Sequence, residues 1–198
     1  MLSPGAPGRP TVASVKLAAG LVDAQAEAFR LLAADDGRWN HVRGVANAAS
    51  RAAPVAAGDR EMLVAAAWLH DIGYADAIVD TGLHQLDGAR YLRSIGAPER
   101  LCRLVANHTS AWAEAGARGL GDVLAEEFPP ERSLLADALT YADLTTSPAG
   151  LPTTIEDRLA DIFERYEPGH VVHESIRQAA PELIATVRRV EVNLAAHG

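Results

Sequence analysis

Two histidines and two aspartates, in the order His41, His70-Asp71 and Asp143, are the residues of this chain best suited to chemistry. Two imidazoles and two carboxylates form a mixed nitrogen and oxygen donor set able to hold one divalent metal ion. The central pair ends an apolar run, residues 62–69, and Gly73 follows it. A histidine beside an aspartate where a buried helix stops is costly unless the two find partners there.

Helical phase brings the four together. Asp143 follows Leu139 by four residues and Leu135 by eight, so it shares their inward face. His70 follows Ala66 by four, and His41 precedes Val45 by four. Adjacent residues on a helix point about 100° apart, so His70 and Asp71 reach one centre only beyond the helix end. Gly73 is expected to let the chain turn away and open that space. The ligands must then be gathered from three helices.

The elements that position them read as helices near residues 11–34, 38–57, 59–71, 83–95, 98–108, 119–128, 132–147, 153–167 and 171–196. β-branched residues do not alternate, and no Asn-Gly or Asp-Gly hairpin turn joins two strand-like runs, so no strand is expected. Pro54 and Gly58 separate the second and third helices, with Asp59 as N-cap. Gly96 and Pro98 separate the fourth and fifth, and Pro129-Pro130 and Pro148 to Pro152 bracket the helix carrying Asp143. Ile155, Leu159, Ile162, Phe163 and Tyr166 form one apolar stripe, and Val172, Ile176, Leu183, Val187, Val190 and Leu194 another. Pro181 is expected to break or kink the last helix. Residues 109–121, with three glycines, read as a surface connection or as a mobile wall over the site.

At 198 residues, 48% hydrophobic and 22% charged, the chain is expected to be one globular domain over residues 11–198 behind a flexible tail at 1–10. A formal net charge of −8 disfavours duplex nucleic acid and an anionic membrane as main partners. A small phosphate ester stays open, because a metal supplies local positive charge. Cys102 is the only cysteine, so no internal disulfide forms, and it reads as a small core residue. With no signal-like start and no membrane-length apolar run, the expected location is cytoplasmic.

The pattern His41, His70-Asp71, Asp143, with the local string His70-Asp71-Ile72-Gly73, resembles the HD superfamily of metal-dependent phosphohydrolases. The resemblance spans about residues 38–147. It implies an all-α, HD-domain-like bundle in which these four residues coordinate a divalent metal, with residues 153–196 as additional C-terminal helices. It implies hydrolysis of a small phosphate ester, monoester or diester, often a nucleotide. A divalent ion would lower the pKa of a bound water and neutralise phosphate oxygens. Asp71 would then be the catalytic carboxylate, since one bound through a single oxygen can still pass a proton. Mixed nitrogen and oxygen ligands leave Mn, Fe, Zn, Ni, Co and Mg all open.

In the family, histidines after the His-Asp pair bind a second metal or contact the substrate phosphate, and His84 and His108 stand in that order. Arg43 and Arg118 are the candidates for binding phosphate in a forked geometry, with Arg38 just ahead of His41. His170, His173 and His197 read as surface residues. Two departures stand out. The glycine-tyrosine-proline signature of cyclic-dinucleotide hydrolases is missing. Asn107-His108-Thr109 stands where a double histidine is common. The same residues would also serve a non-catalytic nucleotide- or metal-binding signalling module, or a non-phosphate hydrolase, hydratase or oxygenase. A purely structural protein leaves four inward polar residues unexplained.

Overall fold

A computed structural model describes residues 14–17, 20–56 and 58–197. Among them are ten α-helices: α1 (Ala24–Leu32), α2 (Asp36–Ala52), α3 (Arg60–Leu69), α4 (His84–Ser94), α5 (Glu99–Ala106), α6 (Ala111–Ala117), α7 (Gly121–Glu127), α8 (Leu134–Leu144), α9 (Ile155–Arg165) and α10 (Val171–His197). Short 3-10 turns at Ala53–Ala56 and Ile72–Tyr74 complete the helical body. The tail expected at residues 1–10 and the side chain of His197 lie outside the described residues.

The expected all-α bundle is what forms, with one correction at its start. Residues 14–17 and 20–23 do not open a helix but pair as two antiparallel strands, β1 (Ser14–Leu17) with β2 (Gly20–Asp23). Asp23 is the reason the helix waits: its side chain accepts from Ala26 N at 3.1 Å and caps α1 there. Asp35, Ser133 and Thr154 cap α2, α8 and α9 in the same way. Asp59 stands at the N-cap position of α3 but makes no capping bond. Its carboxylate instead takes Arg100 Nη1 at 2.6 Å. Pro181 does not interrupt α10, which runs through it as a single element.

The main core lies between α2, α3, α4, α5 and α8. Leu63, Leu69, Leu86, Leu92 and Leu139 are buried there among small residues such as Ala49 and Ala66. Each fully buried leucine contributes about 1.5–3 kcal/mol by leaving water, and the alanines let α2 and α3 approach closely. The two C-terminal stripes pack against each other. Ile155, Leu159 and Ile162 of α9 pack with Ile176, Leu183 and Val187 of α10 over Leu144 of α8.

A charged junction ties α5 to the start of α8. Arg100 donates to both Glu131 oxygens, at 2.8 and 2.7 Å, and Ser133 Oγ adds a third bond at 2.6 Å. Those contacts hold the Glu131 carboxyl down from 4.5 to about 2. The carboxylate therefore stabilises the fold fully above pH 4.5 and loses that contribution as the pH falls toward 2. Because Arg100 stays open to water, the expected contribution is about 1 kcal/mol. Glu131→Gln should lower stability by that amount at pH 7 and leave it nearly unchanged at pH 2, as read by urea unfolding at both values.

Candidate metal centre

Three helices end on one point, and a fourth begins there. His70 is the C-cap of α3, Asp71 follows it, His108 lies just past α5, and Asp143 sits in the last turn of α8. His84 is the first residue of α4, and His41 projects from the second turn of α2. The carbonyl ends of α3, α5 and α8 carry partial negative charge, which favours a cation where they converge. All six side chains are buried.

The backbone aims the imidazoles. His70 Nδ1 donates to Ala67 O at 2.8 Å, and His108 Nδ1 donates to Val105 O at 2.7 Å. This is one local arrangement used twice: a histidine past a helix end bonds the carbonyl three residues back. His41 Nδ1 donates to Ser147 O at 3.0 Å. A carbonyl only accepts, so each Nδ1 carries the proton and each Nε2 faces inward. His70 Nε2 is buried with no hydrogen-bond partner. It lies 3.5 Å from Asp71 Oδ1 and 4.0 Å from Asp143 Oδ1. His41 Nε2 is 3.0 Å from Asp143 Oδ1, and His84 Nε2 is 3.3 Å from His108 Nε2. Asp71 Oδ1 faces His84 Nε2 at 3.4 Å and His108 Nε2 at 3.9 Å. Lone pairs thus confront lone pairs, an arrangement a cation relieves.

The charges fit that reading. Burial would raise the Asp71 carboxyl, but His70, Arg38, His84 and His41 outweigh it and hold it well below the usual range. Burial also opposes ionisation of Asp143, and the His41 bond together with His70 overcomes it. Burial pushes the His70 imidazole down and the His84 imidazole well down. His41 is the exception: its bond to Asp143 and the charges of Asp143 and Asp71 together outweigh burial and raise it, so an ion bound there would have to displace its Nε2 proton. Ionised carboxylates and neutral imidazoles are the forms that ligate metals. Three groups, His41–His70–Asp71, His70–His108–Asp143 and Asp71–His84–His108, each place their ligand atoms within 4.8 Å of one another.

An outer ring holds the cluster. Arg38 Nη1 donates to Asp71 Oδ2 at 2.7 Å. Its guanidinium also lies 3.7 Å over the ring of Tyr74, which stacks on His84 at 4.0 Å. Thr109 Oγ1 donates to Asp143 Oδ2 at 2.5 Å. Thr109 takes φ 54°, a left-handed backbone that a β-branched residue rarely adopts. The loop after α8 closes on α2 because Gly44 and Gly150 lack side chains: a Cβ at Gly44 would lie 2.4 Å from Gly150 O. That approach presents Ser147 O to His41.

The structure thus brings together all six histidines and aspartates singled out by sequence, and it leaves out the two arginines. Arg43 is exposed and leans toward Trp39, 6.0 Å from its ring, because it lies two residues from His41 on the opposite side of α2. Arg118 pairs with Glu114 at 2.7 Å. Arg38 is the arginine at the cluster; its position one turn before His41 was the available signal. Tyr74, four residues after His70, carried a weaker one. Nothing in the sequence marked Thr109.

Asn107 points away from the cluster, donating to Arg103 O and Phe128 O at 2.9 and 2.8 Å, so it does not replace a ligand here. Within residues 109–121, α6 spans Ala111–Ala117, with Ala111, Ala113 and Ala115 buried. Cys102 is buried, and burial pushes its thiol up to about 11, far from a reactive thiolate. His170 is exposed, as expected, while His173 is half-buried and donates to Tyr166 O at 2.8 Å, apart from the cluster.

An all-helical bundle that turns four helix ends onto a buried histidine–aspartate cluster belongs to a class of scaffolds built to hold divalent ions. The HD domain family model matches residues 38–169, two thirds of the chain. The protein is a member of the HD-domain superfamily of metal-dependent phosphohydrolases. No curated protein and no solved structure is significantly similar to it. Among the described residues, no helix is long and apolar enough to cross a membrane.

Proposed function

We propose that this protein is a cytoplasmic metal-dependent phosphohydrolase acting on a small phosphate ester. His41, His70, Asp71 and Asp143 hold one divalent ion. His84 and His108, with the free edge of Asp71, hold a second ion or the substrate phosphate. The observation that carries this reading is the buried, unpartnered Nε2 of His70, whose Nδ1 proton is committed to Ala67 O. A buried nitrogen acceptor with no donor is costly unless an ion completes it. A bound ion would supply an activated water and screen the phosphate charge.

The chain's own groups do the rest. Asp71 sits between the two histidine sets and stays ionised, so it accepts a proton only as charge leaves the cluster. Arg38 and Tyr74 close its outer side and limit access of bulk water. Metal content of the purified protein by elemental mass spectrometry tests the assignment, followed by turnover of p-nitrophenyl phosphate and bis(p-nitrophenyl) phosphate. One equivalent or more of metal, with turnover lost on chelation and regained on reloading, is the expected result. The count decides between one ion and two. No metal after incubation with Mn, Fe, Zn, Ni, Co or Mg, and no turnover, would overturn it in favour of a binding module.

Thr109 gives a second test. Thr109→Gly relieves about 1 kcal/mol or more of left-handed strain but removes the hydroxyl from Asp143. The variant should melt no lower than wild type yet bind divalent ions about 10-fold more weakly, the usual cost of losing a partner behind a ligand. Thr109→Ser should restore affinity. Wild-type affinity in the glycine variant would remove Thr109 from the supporting ring.

A further inference from the structure

A groove begins at the cluster and leads away from it. Its volume is about 830 Å³, within the range of small-molecule sites. His108 and Thr109 form one end, and its walls come from α5, α8 and α10, with Trp112 of α6 at the rim. Its acids are largely matched. Glu131 is taken by Arg100 and Ser133, and Asp137 by Arg189 at 2.8 Å. Glu182 also lies near Arg189.

Two arginines of the groove are left over. Arg103 keeps a third of its side chain exposed along the groove, and its Nη2 comes no nearer to Glu131 than 3.9 Å. Glu131 cannot turn to it without releasing Arg100. Arg132 is exposed and makes no ion pair among the described residues. Trp112 is 47% exposed, so much of its ring is open to a ligand in the groove. Guanidinium forks match the oxygens of phosphates and carboxylates, and an indole face stacks on planar rings.

We propose that this groove binds the organic part of the substrate, and that this part is a flat ring bearing a second anionic group. The ring stacks on Trp112, the anion pairs with Arg103 and Arg132, and the phosphate to be hydrolysed points to His108 and the cluster. The direction of the ligand rests on the phosphohydrolase reading above; binding in the groove does not.

Adenosine 3′,5′-bisphosphate supplies a ring and two phosphates, and its titration into EDTA-treated protein, followed by tryptophan fluorescence, tests the groove without any metal. Quenching is expected, and it should vanish in Trp112→Phe. Arg103→Gln and Arg132→Gln should each weaken binding about 10-fold, as loss of a charge-assisted hydrogen bond does. AMP and ribose 5-phosphate should bind progressively more weakly. In the loaded enzyme, Arg103→Gln should lower the ratio of kcat/KM for the bisphosphate to that for p-nitrophenyl phosphate by a similar factor. Absent quenching, or quenching indifferent to both arginines, would overturn the groove even if p-nitrophenyl phosphate is hydrolysed. Binding with the expected variant pattern but no hydrolysis of any ester would leave the groove standing and overturn the phosphohydrolase reading instead.

Discussion

Asp71→Asn should cut phosphoester turnover by about 10³-fold or more and reduce the bound metal, while the far-ultraviolet circular dichroism stays that of a helical protein. Asp71 reaches every imidazole of the cluster. His84, His70, His108 and His41 lie 3.4, 3.5, 3.9 and 4.0 Å from its oxygens. Asparagine keeps the size and removes the charge, so the packing around Ile72 and Leu69 is undisturbed. What changes is electrostatic. Four nitrogen donors lose the carboxylate that would neutralise an ion among them. The amide can keep its oxygen on Arg38 and turn its NH2 toward the imidazole lone pairs, so the fold is kept while a donor replaces the negative oxygen an ion would need. The measurement is metal per chain and kcat/KM on the same preparation. Full metal with full turnover would sink the proposed mechanism.

The bundle was legible because its apolar residues recur at helical spacing, and the stripe on α9 packs where that spacing puts it. The six cluster residues were legible because each is a polar group on an inward phase, which is rare without a reason. The start of α1 was not, since residues 14–22 carry no turn dipeptide and only Asp23, as a cap, marks the change. α6 was hidden by the three glycines of residues 109–121; only Gly116 lies inside it, and burial of Ala111, Ala113 and Ala115 overrides its low propensity. Which arginine stands at the cluster was hidden for another cause. Which long side chain reaches a site depends on its face of the helix, and Arg38 shares that face with His41 while Arg43 does not. Thr109 could not have been found at all: its left-handed backbone runs against its own propensity and is imposed by the loop that carries His108.

Gly73 was legible as a special position but for a different physical reason, and Gly73→Ala should be among the most damaging single-methyl changes in the chain. Its φ is not left-handed, so it does not serve as the helix-ending turn expected of it. It is crowded instead. A Cβ there would lie 1.9 Å from His84 O and 2.7 Å from Gly88 N, both backbone atoms at the start of α4. Neither can rotate aside, so α4 must move off the 3-10 turn at Ile72–Tyr74 or the turn must deform. Overpacking of that kind costs about 3 kcal/mol or more. For a chain of this size that is a fall of about 6–12 °C in Tm. The same displacement carries His84 away from Asp71 and His108, so the folded fraction should also lose metal or phosphate binding. Gly116→Ala is the matching control. Nothing lies within 4 Å of its added carbon, and it sits inside α6. That change should be neutral or stabilise by up to about 1 kcal/mol, because alanine loses less freedom on folding. If both variants melt together, close backbone approach is not what makes Gly73 special. If only Gly73→Ala falls, the glycine after His-Asp is there to seat α4, and through it His84, against the end of α3.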